Sequence, residues 1–165
     1  MDGRARLPGH LQSAAMDDVA AIMRLKARYF RSLDTKDWAT FAGCFLPEAT
    51  GAYGGLEFAD REALVGFMRK NMGPDLISLH QAHHPEIDVE GDTATGIWYL
   101  QDKVIVPNQR FVLEGAAIYA DRYRRTDDGW LIEHTGYERT YEMSYSIDNL
   151  AGARFKVGPA VHGPQ

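Results

Sequence analysis

The sequence has 165 residues, a length that suits one domain with a sizeable hydrophobic core rather than two domains. Its 45% hydrophobic and 25% charged residues are typical of a soluble globular protein, and a single cysteine, Cys44, excludes an internal disulfide and fits a reducing compartment. A formal net charge of -5 argues against a nucleic-acid partner, because binding to phosphates needs clustered lysine and arginine.

The chain opens with a stretch that has no apolar run. Residues 1–15 lack the core of a signal peptide and carry scattered glycine, proline and charge, which predicts a flexible leader. A helix is then predicted from near Met16 to about Leu33, because acidic residues suit its N-terminus and apolar residues recur at helical spacing. Near its end lie Tyr29 and Asp34, a phenol and a carboxylate five positions apart. An amphipathic helix with a half-buried tyrosine and a capping aspartate gives the same pattern, so the spacing alone assigns no function.

Two further helices and a hairpin are predicted next. Residues 38–45 are predicted to form a short helix that stops before a proline. Residues 49–53 and 56–58 are predicted to pair as a small hairpin, because two glycines separate them. Residues 61–72 predict a third helix, which ends at a Gly-Pro pair. Cys44 lies among phenylalanine and leucine neighbours and is interpreted as a core thiol rather than a nucleophile.

From residue 76 the hydrophobic period becomes alternating, and four strands are predicted at 76–90, 93–106, 111–125 and 130–145. Their short connections require antiparallel neighbours. The fold class is therefore α+β: a cone-shaped barrel in which three N-terminal helices pack on a strongly curved, mainly antiparallel sheet. The domain is predicted to span residues 16–145, and residues 146–165 form a tail that is a candidate to pack on a neighbouring subunit. No apolar run reaches the length of a membrane span, so we expect a cytoplasmic protein with no membrane partner.

Polar residues interrupt rows that should be apolar. The second long strand places Trp98, Leu100 and Asp102 on one face, although an exposed strand end with Asp102 paired to a lysine or arginine gives the same pattern. Arg139 in the last strand either pairs with a carboxylate such as Asp102 or holds a carboxylate inside the cavity. Strict alternation predicts two faces in that strand, one with Leu131, Glu133, Thr135, Tyr137, Arg139 and Tyr141 and the other with Trp130, Ile132, His134 and Gly136.

Three histidines, His80, His83 and His84, lie in the first long strand. Imidazole is a common zinc ligand, but no cysteine or second histidine group lies at ligand spacing, and His80 and His83 point to opposite faces of a strand. We therefore do not expect a metal site. A histidine on a sheet is often a hydrogen-bonded structural residue, yet histidine is also the commonest general base.

Four runs in this order resemble a known family: 28–34, 78–87, 93–102 and 135–141. They are similar to the SnoaL-like branch of the nuclear transport factor 2-like cone fold, and within it to the bacterial bile acid 7α-dehydratases. The resemblance covers residues 17–145, and the ordered combination is more specific than any single run. It is weaker at Gln81, at His84 and over residues 107–114, which leaves the substrate open.

The resemblance implies a helix-lined conical pocket, no metal or organic cofactor, and dehydration of a 3-oxo-4-ene steroid. It places the functional residues at Tyr29, Asp34, His80, Asp102 and Arg139. We expect Trp98, Leu100, Tyr137 and His83 to line the pocket. The resemblance also implies a homo-oligomer, with a trimer favoured over a dimer, and a small hydrophobic substrate.

The chemistry is reasonable for these residue types. Removing a proton next to an unsaturated ketone needs a base, for which His80 oriented by Asp34 is the candidate, and the dienolate needs a donor, for which Tyr29 is the candidate. Asp102 and Arg139 orient the substrate or assist departure of hydroxide, and we do not separate their roles. The predicted function is a cofactor-independent dehydratase of a steroid-like or polycyclic hydroxy-enone. The alternatives are a ketosteroid-isomerase-like or polyketide-cyclase-like enzyme, or a non-catalytic binder of hydrophobic ligands.

Overall fold

The computed structural model describes residues 9–158, with side chains from residue 17 onward. The helices and strands are α1 (Gly9–Thr35), α2 (Trp38–Ala42), β1 (Phe45–Tyr53), β2 (Leu56–Phe58), α3 (Arg61–Asn71), β3 (Ile77–Glu90), β4 (Thr93–Val106), β5 (Phe111–Thr126) and β6 (Gly129–Ser146). Two short 3-10 helices cover Pro107–Gln109 and Ile147–Asn149. Within the described residues, helices precede a long antiparallel meander, as the sequence predicts.

The first helix is longer than predicted. α1 begins at Gly9 rather than near Met16, and it ends at Thr35. Residues 1–8 of the predicted leader lie outside the described residues. The predicted apolar stripe is confirmed, because the helix buries a row of side chains at helical spacing: Ile22, Leu25, Tyr29 and Leu33.

The predicted second helix is too long. α2 ends at Ala42, and Phe45 begins a strand instead of ending the helix. The reason is a partner far along the chain: the backbone N–H of Ile132 donates to the carbonyl oxygen of Cys44 at 2.9 Å, and Phe45 pairs with Ile132 in parallel. Pairing with β6 satisfies backbone groups that a helix would otherwise satisfy internally. Cys44 is fully buried, which confirms its interpretation as a core thiol.

The six strands form one mixed sheet in the order β2-β1-β6-β5-β4-β3. The meander β3 to β6 is antiparallel, and β1 pairs with β6 in parallel. The β1–β2 hairpin forms as predicted, with Gly54 and Gly55 both at positive φ in its turn. The sheet does not close, and α1 packs against both β3 and β6. This arrangement is the predicted cone of helices on a curved sheet.

The strict alternation predicted for the last strand is wrong at two places. A register shift between β5 and β6 adds one residue between Ile132 and His134, so that Ile132 and Thr135 are both fully buried. A second shift separates Arg139, which pairs with Ala117, from Tyr141, which is half exposed. Such bulges bend a strand and increase its twist. They explain why neither predicted face is cleanly apolar.

Aromatic side chains fill much of the space between the helices and the sheet. The buried members are Tyr29, Phe30, Phe41, Phe45, Tyr53, Phe58, Trp98, Tyr119, Tyr123 and Trp130.

The start of the predicted tail packs on the same chain, because Ile147 is buried and its N–H donates to the Arg110 carbonyl at 2.8 Å. Residues 159–165 of that tail lie outside the described residues. Among the helices that the structure describes, none is long and apolar enough to cross a membrane.

Candidate active site

A histidine–carboxylate pair joins α1 to the edge strand β3. His80 Nδ1 lies 2.6 Å from Asp34 Oδ1, and the His80 backbone N–H donates to Asp34 Oδ2 at 3.0 Å. Ser78 Oγ also donates to Asp34 Oδ1, at 2.8 Å. Asp34 therefore does not cap the next helix; Asp37 does, by accepting the Thr40 N–H. The Asp34 carboxylate is fixed by β3, and it in turn fixes the imidazole.

The second nitrogen of this imidazole is available for chemistry. A carboxylate at Nδ1 selects the tautomer with the proton on Nδ1, which leaves a lone pair on Nε2. Among the described residues, Nε2 of His80 has no hydrogen-bond partner. The ring stacks on Phe30, with centroids 5.6 Å apart and an interplanar angle of 5°. The side chains of His80 and Asp34 are 10% and 18% exposed, so the pair is largely desolvated yet reachable.

A cavity of about 440 Å³ lies beside this pair, between α1, β3 and β4. It is lined by Met23, Ala27, Phe30, Arg31, Asp34, Thr35, His80, Ala82, Pro85 and Trp98. Most of these side chains are apolar, with a few polar groups at one end, which is the usual composition of a small-molecule site. Of the four residues predicted to line the pocket, Trp98 does so, whereas Leu100 and Tyr137 are not among the lining residues.

His83 was predicted to line the pocket, and its position in β3 places it elsewhere. His83 pairs with Tyr99, which is half exposed on the outer face of β4, whereas His80 pairs with the buried Asp102. The register of β3 shifts after His83, and His84 has a positive φ of 46° there. His80 and His83 thus occupy opposite faces, as predicted. Over the part of the chain that the structure describes, no three His, Cys, Asp or Glu side chains cluster as metal ligands would.

A second ion pair lies next to the histidine, on the neighbouring strands. His80 and Asp102 are direct cross-strand partners, and Arg139 from β6 donates to both Asp102 oxygens, at 2.6 and 2.8 Å. Asp102 is buried, so the exposed strand end considered for it is wrong, while its pairing with an arginine is right. These hydrogen bonds raise the pKa of the Arg139 guanidinium. The pair fixes the Arg139 guanidinium against Asp102, the cross-strand partner of His80.

Gly115 makes this ion pair possible. It lies on β5, which separates β4 from β6, and it is the cross-strand partner of Asp102 on β4. Arg139 reaches Asp102 from β6. A Cβ atom at this position would lie 2.9 Å from Arg139 Nη1 and 2.6 Å from the Tyr141 carbonyl oxygen. The arginine therefore crosses β5 over a residue without a side chain. Sequence reasoning missed Gly115, since nothing in its local pattern signals the crossing.

Tyr29 lies behind the cavity, in a cluster of phenols. It is fully buried, and its Oη lies 2.7 Å from Tyr53 Oη and 3.4 Å from Tyr119 Oη. Burial raises the pKa of Tyr29 well above its usual value, with Tyr119 and Tyr53 adding to the shift. The phenol therefore stays protonated and is suited to hydrogen bonding rather than to proton abstraction. Sequence reasoning missed Tyr53 and Tyr119, although both lie at inward positions of predicted strands.

A buried lysine was also missed. Lys26 on α1 is fully buried, and its Nζ lies 2.6 Å from Asp121 Oδ2 on β5. In the sequence Lys26 only flanks the apolar stripe of the helix, and lysine is rarely buried unless it is paired. Asp121 is the partner that allows the burial, and it lies 95 positions away.

Of the five predicted functional residues, Asp34 and His80 line the cavity, whereas Tyr29, Asp102 and Arg139 are not among its lining residues. Solved structures of similar fold include the hexachlorocyclohexane dehydrochlorinase LinA-type3 from Novosphingobium barchaimii, with a TM-score of 0.73, 20% identity, and coverage of 88% of this chain and 97% of that chain. A candidate scytalone dehydratase from Novosphingobium aromaticivorans has a TM-score of 0.76 and 17% identity, over 87% of this chain and 99% of that chain. A protein of unknown function from Mycobacterium tuberculosis has a TM-score of 0.70 and 23% identity, over 79% of this chain and 76% of that chain. At these identities the likeness shows the fold.

Sequence comparison identifies the family directly. A profile of the SnoaL-like domain matches residues 14–136, which is most of the chain. The matched stretch contains most of α1, with Asp34, as well as β3 with His80 and β4 with Asp102, so it includes most of the site described above. The chain belongs to the SnoaL-like domain family.

Proposed function

We propose that this protein is a cofactor-independent lyase that removes water from a steroid-like or polycyclic hydroxy-enone. The observation that carries the proposal is the Asp34–His80 pair at 2.6 Å, with Nε2 of the imidazole unpaired among the described residues and His80 lining a mainly apolar cavity of about 440 Å³. A cavity of this size falls in the range of small-molecule sites. Two proteins of similar fold are named for eliminations, a dehydrochlorinase and a candidate dehydratase, which supports the reaction class.

The reaction begins with proton transfer to His80. Nε2 takes a proton from the carbon next to the unsaturated ketone, and the electron pair of the broken C–H bond moves into a dienolate. Asp34 stabilises the imidazolium that forms and keeps the ring oriented. The dienolate then expels the hydroxyl group, which takes up the proton held by the His80 imidazolium and leaves as water, so that His80 returns to its starting form. The carbon skeleton gains one double bond, and no oxidant or reductant is needed.

Tyr29 is proposed as the donor that stabilises the dienolate oxygen. Its hydroxyl is fully buried in a cluster with those of Tyr53 and Tyr119 and does not line the cavity, so this role requires the substrate oxygen to reach the cluster. Asp102 and Arg139 either orient the substrate or assist the departing hydroxide; the support is their ion pair on the strands next to His80. We do not assign the two roles separately.

The first test is a panel of hydroxylated 3-oxo-4-ene steroids, followed by the ultraviolet absorbance of the extended conjugation. We expect the wild-type protein to raise this absorbance and His80→Ala to lose activity by about 10²–10⁴-fold, the usual contribution of a general base. Asp34→Asn should also lose activity, because it disturbs the tautomer and the orientation of the His80 imidazole. His83→Ala is the matched control, a histidine of the same strand on the opposite face, and it should keep wild-type activity.

Each other outcome points to a different function. A double-bond shift without loss of water, measured by mass spectrometry, would show that the protein is an isomerase rather than a dehydratase. Binding that stabilises the protein against heat, with no conversion of any steroid, would favour a binder. Equal losses in His80→Ala and His83→Ala would contradict the assignment of the base.

We also propose that the protein is a cytoplasmic homo-oligomer, with a trimer favoured over a dimer. Support for an oligomer comes from large apolar side chains on the outer face of the meander, called here the outer sheet patch: Leu79, Ile97, Tyr99, Tyr141 and Met143. The preference for a trimer rests on the family resemblance alone. Each of these side chains is about half exposed, and they come from three strands of one sheet. Clustered exposed apolar residues are typical of interaction surfaces.

A further inference from the structure

Lys26 is connected to the cavity wall through a chain of buried polar contacts. Its Nζ binds Asp121 Oδ2 at 2.6 Å, and Tyr123 Oη donates to the same oxygen at 2.7 Å. Trp98 Nε1 donates to Tyr123 Oη at 2.9 Å, and Trp98 lines the cavity. Lys26 and Asp121 are both closed to solvent. The ammonium on α1 is thus linked, contact by contact, to a side chain that a ligand would touch.

The same ammonium also lies against aromatic rings of the site. Its Nζ is 3.7 Å from the ring centroid of Tyr119, 4.6 Å from that of Tyr29 and 5.1 Å from that of Phe30. Phe30 in turn stacks flat on His80. A cation over an aromatic ring is attracted by the negative face of the ring, and this attraction is stronger where water is excluded. One side chain therefore holds the phenol cluster, the ring beneath the base and, through Asp121, the wall of the cavity.

Stability alone is a poor explanation for this pair. Burying two charges costs desolvation free energy, and apolar residues of similar volume are often equally stable in their place. α1 already has an apolar stripe and two other ties to the sheet: Asp34 binds His80 on β3, and Arg125 donates to both Asp18 oxygens at 2.7 Å. The Asp18–Arg125 pair lies near the start of the described side chains, away from the cavity residues. Only the Lys26–Asp121 pair contacts side chains of the site.

We propose that Lys26, held by Asp121, is a positioning residue that fixes α1 on the sheet so that Asp34 and Phe30 meet His80 in the geometry the reaction needs. The inference rests on the proposed function and extends it to a residue that does not line the cavity. A shift of about 1 Å between reacting groups can cost about 10²-fold in rate, which makes such a support measurable.

The test compares two double variants, each of which removes one tie between α1 and the sheet. Lys26→Met with Asp121→Asn removes both buried charges, keeps a side chain of similar length, and leaves an acceptor for Tyr123. Asp18→Asn with Arg125→Gln removes the Asp18–Arg125 tie and is the matched control. Turnover of the steroid panel gives kcat and KM, and proton NMR detects the downfield N–H proton of the short Asp34–His80 hydrogen bond, identified by its loss in His80→Ala.

We expect the Lys26 double variant to remain folded, to lose at least about 10-fold in kcat with KM changed by less than about 3-fold, and to show a shifted or broadened N–H signal. The control pair should keep both kcat and the N–H signal. Should the Lys26 double variant not fold, Tyr123→Phe keeps the buried ion pair and removes the link from Asp121 to Trp98, and it should show the same losses to a smaller extent.

Two results would overturn the inference: equal losses in the two double variants, which would show a merely structural tie, or wild-type kcat and N–H signal in a folded Lys26 double variant. Failure of the proposed function looks different. In that case the wild-type protein converts no steroid, while the NMR comparison of the two double variants still decides whether Lys26 positions the Asp34–His80 pair.

Discussion

At the scale of single residues, Gly115 determines whether Arg139 reaches Asp102. A methyl group there would meet a guanidinium nitrogen at 2.9 Å and a backbone carbonyl at 2.6 Å, and the backbone cannot move aside as a flexible side chain can. We predict that Gly115→Ala displaces Arg139 and lowers the free energy of unfolding by about 1–3 kcal/mol, the usual cost of overpacking. Because Asp102 then loses its cation beside His80, turnover of a steroid substrate should fall as well.

The control for this substitution is Gly66 on α3, where an added Cβ meets nothing within 4 Å. Gly66→Ala should keep activity and gain up to about 1 kcal/mol in stability, because alanine is the better helix former. Thermal unfolding and initial rates of both variants decide the question. Wild-type stability and rate in Gly115→Ala would show that the ion pair does not depend on the crossing.

At the scale of the element, α1 carries three groups of the site and is tied to the sheet near its start by Asp18. The hydrogen bonds from Arg125 lower the pKa of the Asp18 carboxyl; burial opposes this shift, and Trp130 Nε1 adds a third hydrogen bond. A carboxyl whose pKa is lower in the folded protein stabilises it above the pKa of the unfolded chain, and this stabilisation is lost as the pH falls through the folded pKa. The tie should therefore be fully present at neutral pH and weaken below about pH 4.

We predict that Asp18→Asn lowers the free energy of unfolding by about 1–2 kcal/mol at pH 7, because charged hydrogen bonds to Arg125 become neutral ones. The difference from wild type should shrink as the pH falls below about 4, where the wild-type carboxyl also becomes neutral. Urea unfolding between pH 3 and 7 measures both effects. Asp17→Asn, an exposed neighbour on the same helix, should change stability little at any pH, and a similar loss in that variant would argue against the tie.

At the scale of the whole molecule, the outer sheet patch is the surface most suited to contact with a second copy of the chain. We predict that Tyr99→Glu, which places a charge in this patch, shifts the protein from oligomer to monomer in sedimentation experiments, because a charge in an apolar interface loses its hydration without gaining a partner. Leu56→Glu is the control, since Leu56 is also half exposed but lies on β2 at the far edge of the sheet. A monomeric wild-type protein, or an unchanged oligomer in Tyr99→Glu, would contradict this prediction.

Much of the architecture follows from local patterns in the sequence. The change from helical to alternating period predicts the helices and the four-stranded meander, and alternation places Asp102 inside with Trp98 and puts His80 and His83 on opposite faces. These features depend on residues two to four positions apart, so a single sequence is enough to read them. The pairing of Asp34 with His80 could not be predicted from local patterns, because residue types alone allowed Asp34 to be a helix cap. The family resemblance favoured a functional Asp34 over a helix cap.

What the sequence by itself determined was therefore the set of elements, their order and the inward rows of the sheet. The tertiary structure decided the rest: β1 joins β6 in parallel, two bulges turn the faces of β6, Gly115 lets Arg139 cross a strand, and Lys26 is buried against Asp121. The physical reason is the same in each case. A buried charge, a register shift or a missing side chain is favourable only when a particular partner residue is in place. These partners lie dozens of positions away in the sequence, so local hydrophobic periodicity cannot predict them.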